Sequence, residues 1–238
     1  ASLNNYLRGV IMIEDVKKQV YQLLNDDSSG HGMDHVNRVL ALSLKFAEIE
    51  NANQEVVALI ALLHDVDDYK LFGIESAINL TNAKKILNHC LVEASIQEQI
   101  LNTIKTIGYS KRLSNIQPKT LEGMIVSDAD MCDSIGATGI LRSYQYNLAH
   151  QRVFFDKDTY PELDMSQESY MAKKDGTVVT HMFEKLLRLK DLMLTDAGKK
   201  EAEKRHQFMV EFLYRFFKEE NAESWITYLD DYLIKNSI

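Results

Sequence analysis

The chain has 238 residues, of which 35 are acidic and 27 are basic, so its formal net charge is −8. An acidic chain lacks the basic surface of a general nucleic-acid-binding protein, so nucleic acid is not expected as its main partner. The sequence contains no apolar run approaching the roughly 20 residues of a membrane span, and residues 1–9 lack the apolar segment of a signal peptide. We therefore expect a cytoplasmic protein with no membrane partner.

Apolar residues recur at helical spacing through almost the whole chain, and only two prolines and ten glycines interrupt it. The sequence predicts an all-α, single-domain helical bundle of about nine helices over residues 1–238. Its core is expected at about residues 13–140, and a C-terminal helical part at about 177–236 completes the site. Cys90 and Cys132 lie in apolar helical contexts and are expected to be buried thiols of a reducing compartment.

The first three predicted helices differ in how far their apolar surface extends. One stripe runs from Ile13 to Leu24, and a second runs from Val36 to Ala47. The third segment, Glu55–Val66, is apolar on nearly all sides, which is typical of a helix at the centre of a core.

The middle of the chain alternates between shorter helices and loops. A helix is expected at about Asn82–Leu91, and Ser95 and Glu98 have the spacing of a capping box at the start of the next helix. Gly108 is placed to end that helix, and Tyr109–Pro118 is expected to be a loop.

The remaining chain predicts five helices and one long loop. The helices are expected from about Thr120, after Gly139, over Val178–Met193, from a Thr195 cap through Glu220, and around Trp225. The loop, His150–Gly176, has weak periodicity and many polar residues. Loops of this length are usually functional, so a substrate lid is expected there.

The pair His64–Asp65 ends the most apolar helix of the chain. Burying a carboxylate is costly unless another group pairs with it. A divalent cation would solve this problem, because it binds both a neutral imidazole and a carboxylate. The alternative is a core histidine with a satisfied hydrogen bond beside an aspartate at a helix end.

Two further polar clusters suggest the same chemistry. His31 and His35 are four residues apart at the start of the second helix. Asp128, Asp130 and Asp133 fall within another helix with an apolar stripe, where Asp130 stands between Ala129 and Met131. The ordered set of His35, then His64–Asp65, then Asp130 is a stronger signal than any one cluster.

Four segments together resemble the HD superfamily of metal-dependent phosphohydrolases, in particular a bacterial subgroup of nucleotide hydrolases. They are GHGMDHVNRV (30–39), LIALLHDVDDYK (59–70), SDADMCDSIGATGI (127–140) and HMFEKLLRLKDLM (181–193). The resemblance implies that His35, His64, Asp65 and Asp130 bind the metal. Met131 and Cys132 depart from the subgroup, in which a basic residue and then a leucine tend to stand between the aspartates.

The family resemblance also implies a cofactor and a substrate class. The cofactor is a divalent ion, with Mn²⁺, Fe²⁺, Co²⁺, Ni²⁺, Zn²⁺ and Mg²⁺ as candidates. The substrate is a small phosphorylated molecule, expected to be a nucleotide, cleaved by a (d)NTP pyrophosphatase or a nucleotide phosphatase. A cyclic-nucleotide or alarmone phosphodiesterase and a non-catalytic nucleotide-binding signalling module are the alternatives. The oligomeric state is left open, with a homodimer among the alternatives.

Catalytic roles follow from the same resemblance. Asp68 is expected to act as general acid/base or to position water, with Asp67 as its competitor. His31 is expected to contact a phosphate oxygen or to donate a proton to the leaving group. A solvated helix end is the alternative for Asp68, and a histidine behind the metal ligands is the alternative for His31.

Cationic side chains are the expected substrate ligands, because phosphoryl transfer develops negative charge. Lys185 is the first candidate for a phosphate ligand, and His181 lies four residues before it in the fourth segment. Arg38 and Arg142 are further candidates. The alternatives are a surface role for Lys185 and an ion pair between Arg38 and Asp34, four residues earlier.

Overall fold

The computed structural model describes residues 3–25, 32–173 and 175–236. Over these residues the secondary structure consists of thirteen α-helices and one 3₁₀ helix, with no strand. The predicted all-α fold class is confirmed, and the helices outnumber the expected nine in part because two short ones occupy predicted loops. The chain divides into two compact units, residues 1–133 with 193–198 and residues 134–192 with 199–238. The single-domain organisation stays a prediction.

The first unit contains eight helices. They are α1 (Leu3–Leu24), α2 (Met33–Glu50), α3 (Gln54–Leu63), α4 (Tyr69–Asn79), α5 (Thr81–His89), α6 (Ala94–Ile104), α7 (Tyr109–Leu113) and α8 (Leu121–Asp133).

Helix α3 forms the centre of the first unit, as its composition predicts. Asn53 caps its start, where its side-chain oxygen accepts hydrogen bonds from the backbone N–H groups of Glu55 and Val56 at 3.1 and 3.2 Å. All eight residues of Val56–Leu63 are buried. Helices α1, α2, α6 and α8 pack against α3. The polar residues that follow Leu63 therefore emerge from the most apolar part of the unit.

The second unit contains the remaining helices. They are α9 (Gly136–Ala149), α10 (Gln167–Ala172), α11 (Val178–Glu184), a 3₁₀ helix (Leu186–Leu192), α12 (Asp196–Glu219, whose first three residues group with the first unit) and α13 (Glu223–Lys235). Aromatic rings dominate its core. Trp225 is fully buried and stacks on Tyr160, with 4.7 Å between the ring centroids.

Several predicted boundaries are wrong in detail. Helix α6 begins at Ala94, so Ser95 lies inside the helix and makes no capping box. Gly108 precedes α7 with a φ of 126°, and α7 occupies the first half of the predicted loop Tyr109–Pro118. Helix α10 likewise lies inside the predicted loop His150–Gly176. These helices have five and six residues, too short for apolar periodicity to reveal them.

Both cysteines are free thiols, as expected, although only Cys132 is buried and Cys90 is partly exposed. The predicted Thr195 cap is confirmed, because its Oγ1 accepts a hydrogen bond from the N–H of Gly198 at 3.0 Å. Among the helices that the structure describes, none is both long and apolar enough to cross a membrane.

Candidate metal centre

Three mutually packed helices bring the four expected metal ligands together in the first unit. His35 lies in the first turn of α2, and Asp130 lies in the last turns of α8. His64 and Asp65 follow the end of α3, where the chain leaves the helix. Because α2, α3 and α8 all contact one another, their polar ends converge on one point. We call these four residues the ligand cluster.

The distances within the ligand cluster are at or slightly above those between ligands of one metal ion. His35 Nε2 lies 3.3 Å from Asp65 Oδ2 and 3.3 Å from Asp130 Oδ1. His64 Nε2 lies 3.5 and 3.6 Å from the same two oxygens, and the two Nε2 atoms are 3.3 Å apart. Ligands about 2.1 Å from one ion are roughly 3.0–3.4 Å apart at octahedral or tetrahedral angles.

Both histidines are oriented by a hydrogen bond on the opposite side of the ring. His64 Nδ1 lies 2.6 Å from the carbonyl oxygen of Ala61, and His35 Nδ1 lies 2.7 Å from Asp133 Oδ2. Because a carbonyl and a carboxylate oxygen can only accept, each Nδ1 carries a proton and donates it. In a neutral ring this leaves the lone pair on Nε2, which faces the ligand cluster.

The pKa values in the ligand cluster shift in opposite directions. Burial alone would lower the pKa of His64, but the carboxylates of Asp65 and Asp130 outweigh it and raise the pKa. Burial alone would raise the pKa of Asp130, but its hydrogen bonds with His35 and His64 hold it well below its usual range. Two imidazole nitrogens and two carboxylate oxygens are a donor set that suits a divalent transition metal. The residues present therefore fit the expected ion.

Asp67 and Asp68 have different surroundings. Asp67 is buried, and its oxygens accept hydrogen bonds from Ser76 Oγ at 2.6 Å and from the N–H groups of Asn82 and Ala83 at 2.8 and 2.9 Å. These contacts favour a structural role at the start of α5 over a catalytic one. Asp68 is half-buried at the start of α4, where its Oδ1 accepts the N–H of Lys70 at 2.8 Å.

The other predicted site residues are placed as follows. His31 lies outside the described residues. His181 lies on α11 and Lys185 directly after it, both half-buried, and the N–H of Lys185 donates to the carbonyl oxygen of His181 at 3.0 Å. Arg142 is half-buried on α9. These three belong to the second unit, and their contact with substrate stays a prediction.

Arg38 pairs with a residue to which sequence reasoning gave no role. Its Nε donates to Asp133 Oδ1 at 2.8 Å and its Nη2 to Asp133 Oδ2 at 3.1 Å. In the described part of the chain, this carboxylate replaces Asp34, the partner considered from sequence. A signal did exist, because Asp130 and Asp133, like His35 and Arg38, are three residues apart and share a helix face.

Comparison with known proteins agrees with this geometry. The HD domain family model matches residues 32–135, a stretch that contains the whole ligand cluster. A Lactobacillus plantarum protein of known crystal structure is 34% identical in sequence to this chain. The two structures superpose with a TM-score of 0.78, and the match covers 89% of this chain and 98% of the other. An HD-superfamily hydrolase from Bacillus thuringiensis is 32% identical in sequence to this chain. Its crystal structure superposes with a TM-score of 0.69, and the match covers 90% of this chain and 99% of the other.

The uncharacterized protein YpgQ of Bacillus subtilis is a further relative. It is 32% identical over 208 residues, which cover 87% of this chain and 92% of YpgQ. The crystal structure of YpgQ in complex with ADP superposes with a TM-score of 0.66 and 27% identity over 89% of this chain and 96% of that one. The family model, the matched hydrolase and the position of the ligand cluster lead to one conclusion: the chain belongs to the HD superfamily of hydrolases.

Proposed function

We propose that this hydrolase is metal-dependent and cleaves a phosphoester or phosphoanhydride bond of a nucleotide. The observation that carries the proposal is the convergence of two imidazole Nε2 atoms and two carboxylate oxygens within 3.3–3.6 Å of one another across the pairs His35–Asp65, His35–Asp130, His64–Asp65 and His64–Asp130. The ADP complex of YpgQ supports a nucleotide as the ligand.

The four donor atoms suit Mn²⁺, Fe²⁺, Co²⁺, Ni²⁺ or Zn²⁺, and Mg²⁺ less well because two of them are nitrogens. The chemistry that such an ion supplies is a lower pKa for bound water and polarisation of the phosphoryl group. His35, His64, Asp65 and Asp130 would hold it, with both imidazoles bound through Nε2.

We assign Asp68 the transfer of a proton from the attacking water or to the leaving group. Its backbone N–H donates to the carbonyl oxygen of Asp65 at 3.2 Å, so one turn of chain carries both a metal ligand and this carboxylate. Oδ1 is held by the N–H of Lys70. Oδ2 is therefore the atom that we propose to exchange the proton.

We assign the phosphate contacts to cationic side chains, first to Lys185 and then to His181, Arg142 and Arg38. Replacing Lys185 with alanine should raise KM or lower kcat for the nucleotide while the protein keeps its metal, because a phosphate contact is lost and no ligand is. Lys200→Ala, on an exposed position of α12, is the matched control. Equal kcat/KM values for Lys185→Ala and wild type would show that Lys185 is a surface residue that does not bind the phosphate.

One assay tests the proposed function. The purified protein is stripped with a chelator, reloaded with Mn²⁺, Co²⁺, Zn²⁺ or Mg²⁺, and supplied with nucleoside mono-, di- and triphosphates and with cyclic nucleotides. Released phosphate and pyrophosphate are measured separately, which tells a phosphatase from a pyrophosphatase. We expect turnover that the chelator abolishes. Nucleotide binding without turnover under every metal would show a non-catalytic binding module instead.

A further inference from the structure

A chain of hydrogen bonds extends from His35 away from the ligand cluster. His35 Nδ1 donates to Asp133 Oδ2 at 2.7 Å, and Arg38 donates to both oxygens of Asp133 at 2.8 and 3.1 Å. The side chain of Asp133 is 3% exposed, whereas that of Arg38 is 39% exposed. The three residues thus connect the metal site with solvent through one buried carboxylate.

We propose that Asp133 and Arg38 are positioning residues that set the tautomer and orientation of His35 for metal binding. The proposal rests on the proposed function, because it assigns these residues through the ligand that they hold. Neither residue is a metal ligand itself. A carboxylate hydrogen-bonded to the far nitrogen of a ligating histidine fixes the ring and makes its other nitrogen more basic.

The role of Arg38 follows from the burial of Asp133. An ionised carboxylate that is almost fully removed from water is unfavourable unless a partner charge and hydrogen bonds compensate it. The guanidinium group of Arg38 supplies both through a two-point contact. With Arg38 on the same carboxylate, Oδ2 of Asp133 lies 2.7 Å from His35 Nδ1 as the acceptor for its N–H.

The Nδ1–H groups of the two histidines donate to different kinds of acceptor. His64 donates its Nδ1–H to the backbone carbonyl of Ala61, an acceptor that no side-chain substitution removes. His35 relies on the side chain of Asp133. Mutation at position 133 therefore changes the orientation of one ligand and leaves the other intact.

An asparagine at this position should reverse the tautomer of His35. The amide has one acceptor oxygen, which the Arg38 cation attracts, so its NH₂ group turns toward His35 Nδ1. Nδ1 must then accept a hydrogen bond, and the proton moves to Nε2, where it blocks metal binding. Removing the Arg38 cation as well frees the amide to turn its oxygen toward His35.

The experiment compares the full-length wild type with the variants Asp133→Asn and Asp133→Asn/Arg38→Met. Mn²⁺ affinity is measured by calorimetry, and the Co²⁺ site by its visible absorption spectrum. We expect Asp133→Asn to weaken Mn²⁺ binding about 10- to 100-fold and to change the Co²⁺ spectrum. The double variant should recover part of the loss. Asp128→Asn is the matched control, because Asp128 is a buried aspartate of the same helix whose hydrogen bonds, in the described part of the chain, join it to Leu194 and Thr195.

Each result is decisive. If wild type binds none of the ions Mn²⁺, Fe²⁺, Co²⁺, Ni²⁺ and Zn²⁺, the proposed function fails. If wild type binds them and Asp133→Asn binds them equally well, the positioning role of Asp133 is overturned. If the double variant binds no more tightly than Asp133→Asn, the role of Arg38 is overturned. If Asp133→Asn does not fold, Arg38→Lys takes its place, since a lysine loses the two-point contact at a partly exposed position. Unchanged Co²⁺ spectrum and Mn²⁺ affinity in Arg38→Lys would then contradict the proposal.

Discussion

Helix α8 contributes an aspartate to each of two regions of the first unit. Asp130 belongs to the ligand cluster, and Asp128 belongs to what we call the Asp128 pocket, formed with Leu194, Thr195 and Gly198. Two residues apart on a helix means about 200° of rotation, so the two carboxylates face opposite sides of α8. The same helix therefore serves two environments of different chemistry.

The regions differ in what surrounds the carboxylate. Asp128 accepts hydrogen bonds from the N–H of Leu194 at 2.9 Å, from the N–H of Thr195 at 2.8 Å and from Thr195 Oγ1 at 2.7 Å. Asp130 faces the Nε2 atoms of His35 and His64. Those nitrogens carry a lone pair when the rings are neutral, so carboxylate and imidazoles all offer electron pairs to the same point.

The pKa directions reflect this difference. Burial raises the pKa of Asp128, and the hydrogen bonds from Thr195 and Leu194 offset only part of that rise. The imidazoles, which can become cations, hold the pKa of Asp130 below its usual range. A buried carboxylate satisfied by N–H and O–H donors is structural, whereas one that meets other lone pairs needs a proton or a metal ion. The predictions below test this distinction.

The largest effect should come from removing a carboxylate of the ligand cluster. Asp130→Ala should lose the metal and at least about 1000-fold in kcat/KM, equivalent to about 4 kcal/mol of transition-state stabilisation. The variant should still fold, because α8 keeps its apolar contacts with α2 and α3. Elemental analysis and turnover are the measurements. Full metal occupancy in this variant would show that Asp130 is not a metal ligand.

The Asp128 pocket should respond in the opposite way. Asp128→Ala leaves the N–H groups of Leu194 and Thr195 without their acceptor and opens a cavity. We therefore expect the free energy of unfolding to fall by about 2–4 kcal/mol. Metal content and the kcat/KM of the folded protein should match wild type. Urea unfolding with and without metal measures the first effect. A metal-free but otherwise stable variant would contradict the division between the two regions.

Sequence reasoning located the parts of the site that interrupt an apolar pattern. His64 and Asp65 were visible because they follow eight consecutive buried residues of α3. Asp130 was visible because it stands between Ala129 and Met131, which are buried. A polar residue within such an apolar pattern is not explained by local helix packing, so the sequence alone indicates that it has a functional role.

Pairings across long sequence distances were not visible in this way. The sequence places Asp133 in its helix, but its partners His35 and Arg38 lie 98 and 95 residues away, and a single sequence does not report such contacts. The sequence makes Asp67 the competitor of Asp68 for the catalytic role, although its partners include backbone N–H groups of α5. Backbone N–H donors do not depend on residue type, so the sequence does not reveal which side chain they bind.

A smaller loss of stability should follow from crowding the Asp128 pocket. A Cβ on Gly198 would lie 2.7 Å from the Cβ and Cγ of Asp128, closer than real side chains approach. Gly198→Ala should therefore cost about 1–3 kcal/mol of unfolding free energy with the metal retained. In the double variant with Asp128→Ala the carboxylate is absent and only the Cβ of residue 128 still obstructs the new methyl group, so the loss in the double variant should be smaller than the sum of the two single losses. Strict additivity in urea unfolding would show that the two residues do not interact.

The smallest effect should be a pH dependence of the metal-free protein that originates in His64. Its pKa is raised above the ordinary 6.5, so the folded state binds this proton more tightly than the unfolded state does. The stability that it contributes is fully present below pH 6.5 and is lost as pH rises through the folded-state pKa.

A second histidine has the opposite sign and acts in a separate pH range. Burial and the charge of Lys190 lower the pKa of His206 below 6.5, so its contribution is lost as pH falls through its own folded-state pKa. Urea midpoints of metal-free wild type and His64→Gln, measured upward from pH 6.5, therefore isolate His64. Wild type should lose stability more steeply with rising pH than the variant, because only wild type carries the His64 imidazole, whose proton Asp65 and Asp130 retain. Parallel curves would mean that the carboxylates of the ligand cluster do not hold a proton in place of the metal.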